Sequence, residues 1–311
     1  MLQRDKAPDS GRLRGLIPAL TTPFVDEAVS PERLAANIAR YEAHGVSGYL
    51  VLGSTGEAAL LDEAEKVALL GAAREAVPRS KILIAGVGLE STAATVRLAR
   101  RAAELGADAV LVLTPHFYRE RMTGAALERH YCAVADGSPV PVLLYSVPKF
   151  TGLAIEPLTA IRLSSHENVA GIKDSEASIA GMLEVLEGAT RGFRVLSGHA
   201  GACRSALAAG ASGAILAAAA ALPEPFVAIA KLVAENRQPE AAALQRRIAG
   251  PARLIASTHG IPGLKCAIDL RGLNGGAPRS PLRPLDERAR RAVERCLDRL
   301  VADGLIPRLS L

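Results

Sequence analysis

Short apolar stretches of about four to eight residues alternate along this chain with longer segments whose apolar positions fall three and four apart. The first, residues 13–20, is broken by Gly15 and Pro18 and runs into Thr21-Thr-Pro-Phe24. Residues 31–44 then carry helical spacing, with Ser30 placed as N-cap and Pro31 in the first turn. The alternation continues with strands expected at 48–52, 81–87, 107–113, 140–145, 169–173, 193–197 and 211–216. Helices are expected between them at 61–76, 92–105, 125–136, 157–163, 179–187 and 200–209. From residue 223 to 309 the pattern is helical throughout, with no strand.

The strands are apolar on both faces, as in a parallel sheet covered by helices. Eight such units fit a (β/α)8 TIM barrel with a C-terminal helical extension; a doubly wound sheet is the structural rival. The expected division is a polar, flexible leader over 1–12, the barrel over 13–222 and a helical region over 223–311 packed on the barrel. At 311 residues and 49% hydrophobic content the chain can bury a large core.

A barrel collects its functional side chains at the C-terminal strand ends and the loops after them. Val169-Ala-Gly-Ile-Lys-Asp-Ser175 is the most informative such end. An apolar strand closes on Lys173, and burying an ammonium is costly. One reading is a lysine whose pKa falls, leaving a neutral amine able to form a Schiff base with a ketone. The other is a lysine that snorkels to water. Seven lysines against thirty arginines make arginine the default cation here, which favours a position kept for its amine.

Other strand ends supply candidate partners. Gly53-Ser-Thr-Gly-Glu57 offers two hydroxyls and backbone N–H groups, a nest suited to a carboxylate; Glu57 reads as a cap or a bond within the loop. Tyr145, one of five tyrosines, lies on the strand beside that of Lys173, ~5 Å sideways if the two pair. A phenol there can shuttle a proton, or be a core tyrosine with a satisfied hydroxyl. His116, Arg119, Arg121 and His199 are loop residues with no partner visible in sequence. Gly86-Val-Gly-Leu-Glu-Ser91 lacks the third glycine of a dinucleotide fingerprint.

The net charge of +5 is dispersed, and aromatics are 3%, which argues against a nucleic-acid surface. No apolar run approaches the ~18 residues of a membrane helix, and residues 1–12 lack a signal peptide's apolar core, so a cytoplasmic protein is expected. The four cysteines form no CxxC pair, and the histidines show no ligand spacing; no metal or cofactor is expected.

Taken together, Thr21-Thr-Pro-Phe24, Gly53-Ser-Thr-Gly-Glu57, Tyr145-Ser-Val-Pro148 and Gly171-Ile-Lys-Asp174 resemble, in order and spacing, the signatures of the dihydrodipicolinate synthase / N-acetylneuraminate lyase family. The resemblance covers roughly residues 13–309. It implies a pyruvate-dependent class I aldolase, commonly a homotetramer. It further implies that Lys173 forms the Schiff base, Tyr145 is the acid/base, Ser54 and Thr55 hold the substrate carboxylate, and Gly198 and Ile215 line the site through backbone atoms.

Within the family, Tyr145-Ser-Val-Pro148, Glu90-Ser-Thr92 and Gly260-Ile-Pro-Gly-Leu-Lys265 are similar to 4-hydroxy-2-oxoglutarate aldolases. Synthases of the family carry an arginine where Phe150 stands, and a relay tyrosine from a neighbouring subunit where Phe117 stands. The resulting expectation is cleavage of 4-hydroxy-2-oxoglutarate to pyruvate and glyoxylate. The alternatives are 4-hydroxy-tetrahydrodipicolinate synthesis from pyruvate and aspartate semialdehyde, or another 2-oxo sugar-acid aldolase. The distal carboxylate of a two-carboxylate substrate has Arg119, Arg121 and His199 as candidate partners. A barrel that binds 2-oxo acids without turning them over is the rival from a different class.

Overall fold

A computed structural model of the chain describes residues 10–176 and 178–308. Eight parallel strands form its core: β1 (Gly15–Pro18), β2 (Gly48–Val51), β3 (Ile82–Gly86), β4 (Ala109–Leu113), β5 (Val142–Ser146), β6 (Val169–Asp174), β7 (Arg194–Ser197) and β8 (Gly213–Leu216). Each pairs with its sequence neighbour from β2 through β8, and β8 pairs with β1. The Ser47 N–H donates to Leu16 O (2.8 Å), and a parallel bridge joins Ala19 to Leu50, so β1 also meets β2 and the sheet closes into a barrel.

Inward residues such as Ile17, Leu50, Ile84, Leu111, Leu143, Leu196 and Ile215 fill the barrel as one apolar cluster. A second, larger cluster lies between the strands and the surrounding helices. Having core on both sides is why the strands read as unbroken apolar runs and not as alternating ones.

The longer helices between strands are α1 (Pro31–Tyr41), α2 (Glu63–Ala76), α3 (Thr92–Glu104), α4 (Gly124–Gly137), α5 (Pro157–Leu163), α6 (Ile179–Gly188) and α7 (Cys203–Ala208), with a single helical turn, Pro148–Thr151, directly after β5. Their starts follow local chemistry. Asp62 and Glu65 form a reciprocal capping box on α2, and the hydroxyls of Ser91, Thr123 and Ser178 cap α3, α4 and α6. Ser30 departs from expectation. It sits at the N-cap of α1, but its hydroxyl turns to Glu32 (2.8 Å) and caps nothing. A second departure is a small antiparallel ladder, Phe24–Val25 against Ala28–Val29, turned by Asp26 and Glu27 at φ 47° and 67°.

Helix α8 (Pro223–Ala234) packs against β1 and α7, the place of the barrel's eighth helix. The barrel therefore extends beyond the expected boundary at residue 222. The extension proper comprises α9 (Gln238–Arg253), a π-helical turn (Leu254–Thr258), α10 (Gly260–Leu270) and α11 (Glu287–Ala302). Of the expected leader, residues 1–9 lie outside the described residues. Ser10–Arg12 forms a 3-10 turn, and Arg12 is bonded to Asp108 (2.9 Å).

The extension is fastened to the barrel by charge. Arg271 pairs with Glu224 of α8 (2.6 Å), and Arg279 with Glu65 of α2 (2.6 Å). Lys265 of α10 forms a fully buried pair with Glu57 (2.6 Å) at the end of the Gly53-Ser-Thr-Gly-Glu57 turn. Glu57 caps its own turn through its backbone N–H, bonded to Ser54 O, while its carboxylate reaches out of the loop to the extension. Its other oxygen accepts from the Arg279 N–H (2.9 Å), so the turn is anchored to the C-terminal region.

Candidate active site

The orientation of Lys173 depends on one irregularity. β5 and β6 pair Val142 with Val169, then Leu143 with Gly171, which leaves Ala170 as an extra residue in β6. Side chains alternate along a strand, so Val169, which faces the helices, would by plain alternation put Lys173 on the same outer face. The bulge resets that alternation. Ile172 pairs with the outward Leu144, and Lys173 pairs with Tyr145, a member of the inner cluster. Both side chains are buried, at 4% and 5% exposure. The reading of Lys173 as snorkelling to water is therefore excluded.

Lys173 Nζ lies 4.1 Å from the centroid of the Tyr145 ring. The Ser54 hydroxyl donates to the Tyr145 oxygen at 3.4 Å. Burial works to raise the Tyr145 pKa, but the Lys173 ammonium and the hydrogen bonds from Ser54, Lys173 and Ser175 outweigh it and hold the phenol below the ordinary tyrosine range. Ser54 and Thr55 stand in a 3-10 turn, Ser54–Gly56, which closes through the Gly56 N–H to Gly53 O (3.0 Å). The Thr22 hydroxyl donates to Gly56 O (2.6 Å) and holds that turn against the end of β1.

These groups open on a cavity of about 920 Å³ at the C-terminal mouth of the barrel, lined by Ser54, Thr55, Tyr145, Lys173, Gly198 and Ile215 among others. All six residues expected at the site thus meet in one place. A Cβ at Gly198 would stand 2.1 Å from Ser175 Oγ, so any larger residue there would have to turn the Ser175 hydroxyl aside. The Gly198 N–H donates to Asp174 O (2.5 Å), joining the ends of β6 and β7.

Of the candidate cations, His199 lines the cavity, while Arg119 and Arg121 are not among its lining residues. The Arg119 guanidinium instead packs against Gly152. His116 is paired with Glu90 (2.9 Å) and is not among the cavity's lining residues. Sequence reasoning missed the outer wall, which the C-terminal extension supplies: Arg253, Ser257, Thr258 and His259 of the π-turn region, with Lys149 after β5. The Gly260-Ile-Pro-Gly stretch marked the region without showing that it faces the mouth. Among the described residues no three histidine, cysteine, aspartate or glutamate side chains gather where they could hold a metal ion. No helix there is long and apolar enough to cross a membrane.

A buried amine, a phenol of lowered pKa and a hydroxyl-bearing turn, gathered at the C-terminal mouth of a (β/α)8 barrel, make a site equipped for imine chemistry on a carbonyl that carries a carboxylate. Residues 12–300 match the model of the dihydrodipicolinate synthetase family, and the chain belongs to that family, whose members are aldolase-type lyases. Similar proteins include the 4-hydroxy-tetrahydrodipicolinate synthase of Methanosphaerula palustris, 37% identical over 277 residues, which span 88% of this chain and 94% of that one. The synthase of the same name from Xanthomonas axonopodis pv. citri is 35% identical, covering 94% and 95%. Among solved structures, the chloride-inhibited dihydrodipicolinate synthase of Acinetobacter baumannii complexed with pyruvate superposes with a TM-score of 0.88 at 28% identity, covering 94% and 99%.

These relatives overturn the expected preference for 4-hydroxy-2-oxoglutarate. The structure shows why the residue that most suggested it was misleading. Ser146, the serine of Tyr145-Ser-Val-Pro148, does not line the cavity; its hydroxyl accepts from the Ile155 N–H (3.1 Å) on the helix side of β5. A residue facing away from the mouth carries no information about the substrate inside it.

Proposed function

We propose that the protein is a Schiff-base-forming lyase that condenses pyruvate with aspartate semialdehyde to 4-hydroxy-tetrahydrodipicolinate. The observation that carries the reading is the convergence of Lys173, Tyr145 and Ser54 inside one cavity of the barrel, in a chain whose curated relatives bear that activity in their names.

Ser54 and Thr55 hold the pyruvate carboxylate. The Tyr145 phenolate takes a proton from the Lys173 ammonium, and the freed amine attacks C2 of pyruvate. Tyr145 returns the proton to the carbinolamine hydroxyl, which leaves as water, and a protonated imine remains. Its positive nitrogen draws electrons from the adjacent methyl group, which loses a proton to the Tyr145 phenolate and becomes a nucleophilic enamine. The enamine carbon attacks the acceptor's aldehyde carbon, and the new alkoxide takes a proton from Tyr145. The acceptor's own amine then adds to C2 and displaces Lys173, closing the ring. Because the iminium serves as the electron sink, the chemistry asks for no metal.

Assembly as a homotetramer and a cytoplasmic location are part of the same reading. The Phe117–Tyr118 pair, 76% and 71% exposed, sits where the resemblance puts the residues that reach a neighbouring subunit.

The test supplies the purified protein with pyruvate and aspartate semialdehyde in one assay and 4-hydroxy-2-oxoglutarate in another. Pyruvate is expected to disappear in the first, with a kcat/KM far above that for glyoxylate release in the second. The reverse order would refute the synthase reading and leave the imine chemistry standing.

A further inference from the structure

The cavity is electrostatically one-sided. Among the described residues that line it there is no aspartate or glutamate, while Lys149, Lys173 and Arg253 are all present. Lys173 is committed to the imine. One carboxylate, that of pyruvate, is taken by the Ser54-Thr55 turn. The acceptor in the proposed reaction brings a second carboxylate, and Phe150 of the turn after β5, 58% exposed at the cavity rim, offers it no charge. A carboxylate left without a cationic partner in a largely apolar cavity would pay for its lost hydration.

Arg253 ends α9, where the backbone passes into the π-helical turn Leu254–Thr258. Such turns shift the register of a helix and are frequent at functional sites. Among the described residues the Arg253 side chain makes no hydrogen bond or ion pair. Arg271 and Arg279 of the extension are locked to carboxylates, whereas Arg253 is exposed and unpaired like Arg246 of the same helix, and differs from Arg246 in lining the cavity. Lys149 is likewise without a carboxylate partner; its ammonium rests 5.7 Å from the Phe150 ring.

We infer that Arg253 of the C-terminal extension, assisted by Lys149 from the turn after β5, is the anion subsite for the acceptor's distal carboxylate, so that the extension takes a direct part in specificity for the second substrate. This rests on the synthase reading for the identity of the acceptor. Arg253 is a specificity-determining residue in this account and takes no part in forming the imine. A planar guanidinium suits a carboxylate better than a lysine does, since it can offer two parallel N–H donors.

An arginine in the last turn of a helix also complements the helix dipole, so the test must separate substrate binding from stability. Arg253→Ala and Arg253→Gln, which keeps the stem, are compared with the native enzyme, and Arg253→Lys with both. The KM for aspartate semialdehyde is expected to rise roughly tenfold to a hundredfold, the loss of a charge-assisted hydrogen bond. The KM for pyruvate should move less than about twofold, and the lysine variant should recover part of the loss. A purely structural residue would move both KM values together, and that result, or an unchanged acceptor KM, overturns the inference. Calorimetric titration with succinate, a four-carbon dicarboxylate, against butyrate gives an arm independent of turnover. Succinate should bind more weakly to Arg253→Ala while butyrate is unaffected; equal effects on both overturn the subsite. Should the native enzyme refuse aspartate semialdehyde altogether, the synthase reading falls while the succinate arm still decides the role of Arg253.

Discussion

Burial alone would lift the Tyr145 phenol above its ordinary range, yet the Lys173 ammonium and the hydroxyls of Ser54 and Ser175 bring it below. A phenol so placed can both take and give a proton, as the proposed cycle requires. Tyr145→Phe is expected to lower kcat/KM by roughly 10² to 10⁴ with the melting temperature almost unchanged. Steady-state rates and a thermal scan check both, and a loss below about threefold would remove Tyr145 from the chemistry. Next to Lys173, Asp174 is perturbed the opposite way: burial raises its pKa to about 6, opposed by the Glu176 N–H it accepts and reinforced by the Glu176 charge. A carboxyl held above its unfolded value stabilises the fold fully below that value, and the benefit is lost as pH rises through about 6. Asp174→Asn is therefore expected to be the more stable protein at pH 7.5 by about 1–2 kcal/mol, after discounting for partial exposure, with the gain vanishing toward pH 4. Urea titrations at the two pH values measure it. Lys173, Tyr145, Ser54 and Thr55 were legible in the sequence because each stands at the end of an apolar run. Arg253 was not, since a helical arginine looks the same whether it faces solvent or a cavity.

The strands and helices are placed by simple rules, and the exceptions are instructive. Every strand expected from the apolar runs is present, with no end displaced by more than two residues, because a barrel strand is buried on both faces and reads as a continuous apolar run. The ladder at Phe24–Val25 escaped notice because Asp26 and Glu27, not the usual glycine or asparagine, occupy its left-handed turn. The extra residue in β6 left no trace in the sequence either, although it decides which way Lys173 points. Gly171, beside that bulge, is required for packing: a Cβ there would lie 2.2 Å from the Arg194 carbonyl oxygen. The obstacle is backbone and cannot swing aside. Gly171→Ala should separate β6 from β7, cost about 1–3 kcal/mol and reduce activity at the neighbouring lysine. A variant that melts and turns over like the native protein would show that the two strands can yield.

For the molecule as a whole, the barrel supplies Lys173, Tyr145 and the Ser54-Thr55 turn, and the C-terminal extension supplies the outer wall of the same cavity. The buried pair between Lys265 and Glu57 ties the wall to the Ser54–Gly56 turn, so the two halves of the site are mechanically one. The sequence showed the extension as helical but not its direction of approach, because that is set by pairs more than two hundred residues apart, such as Lys265 with Glu57 and Arg279 with Glu65. Light scattering after size exclusion is expected to return four times the 32.4 kDa chain mass, and a monomer would retire the tetramer. The most direct test of the whole account treats the protein with pyruvate and sodium borohydride and maps the modified peptide by mass spectrometry. The account predicts one reduced pyruvate adduct, on Lys173, absent in Lys173→Ala; no adduct, or an adduct on another lysine, would contradict it.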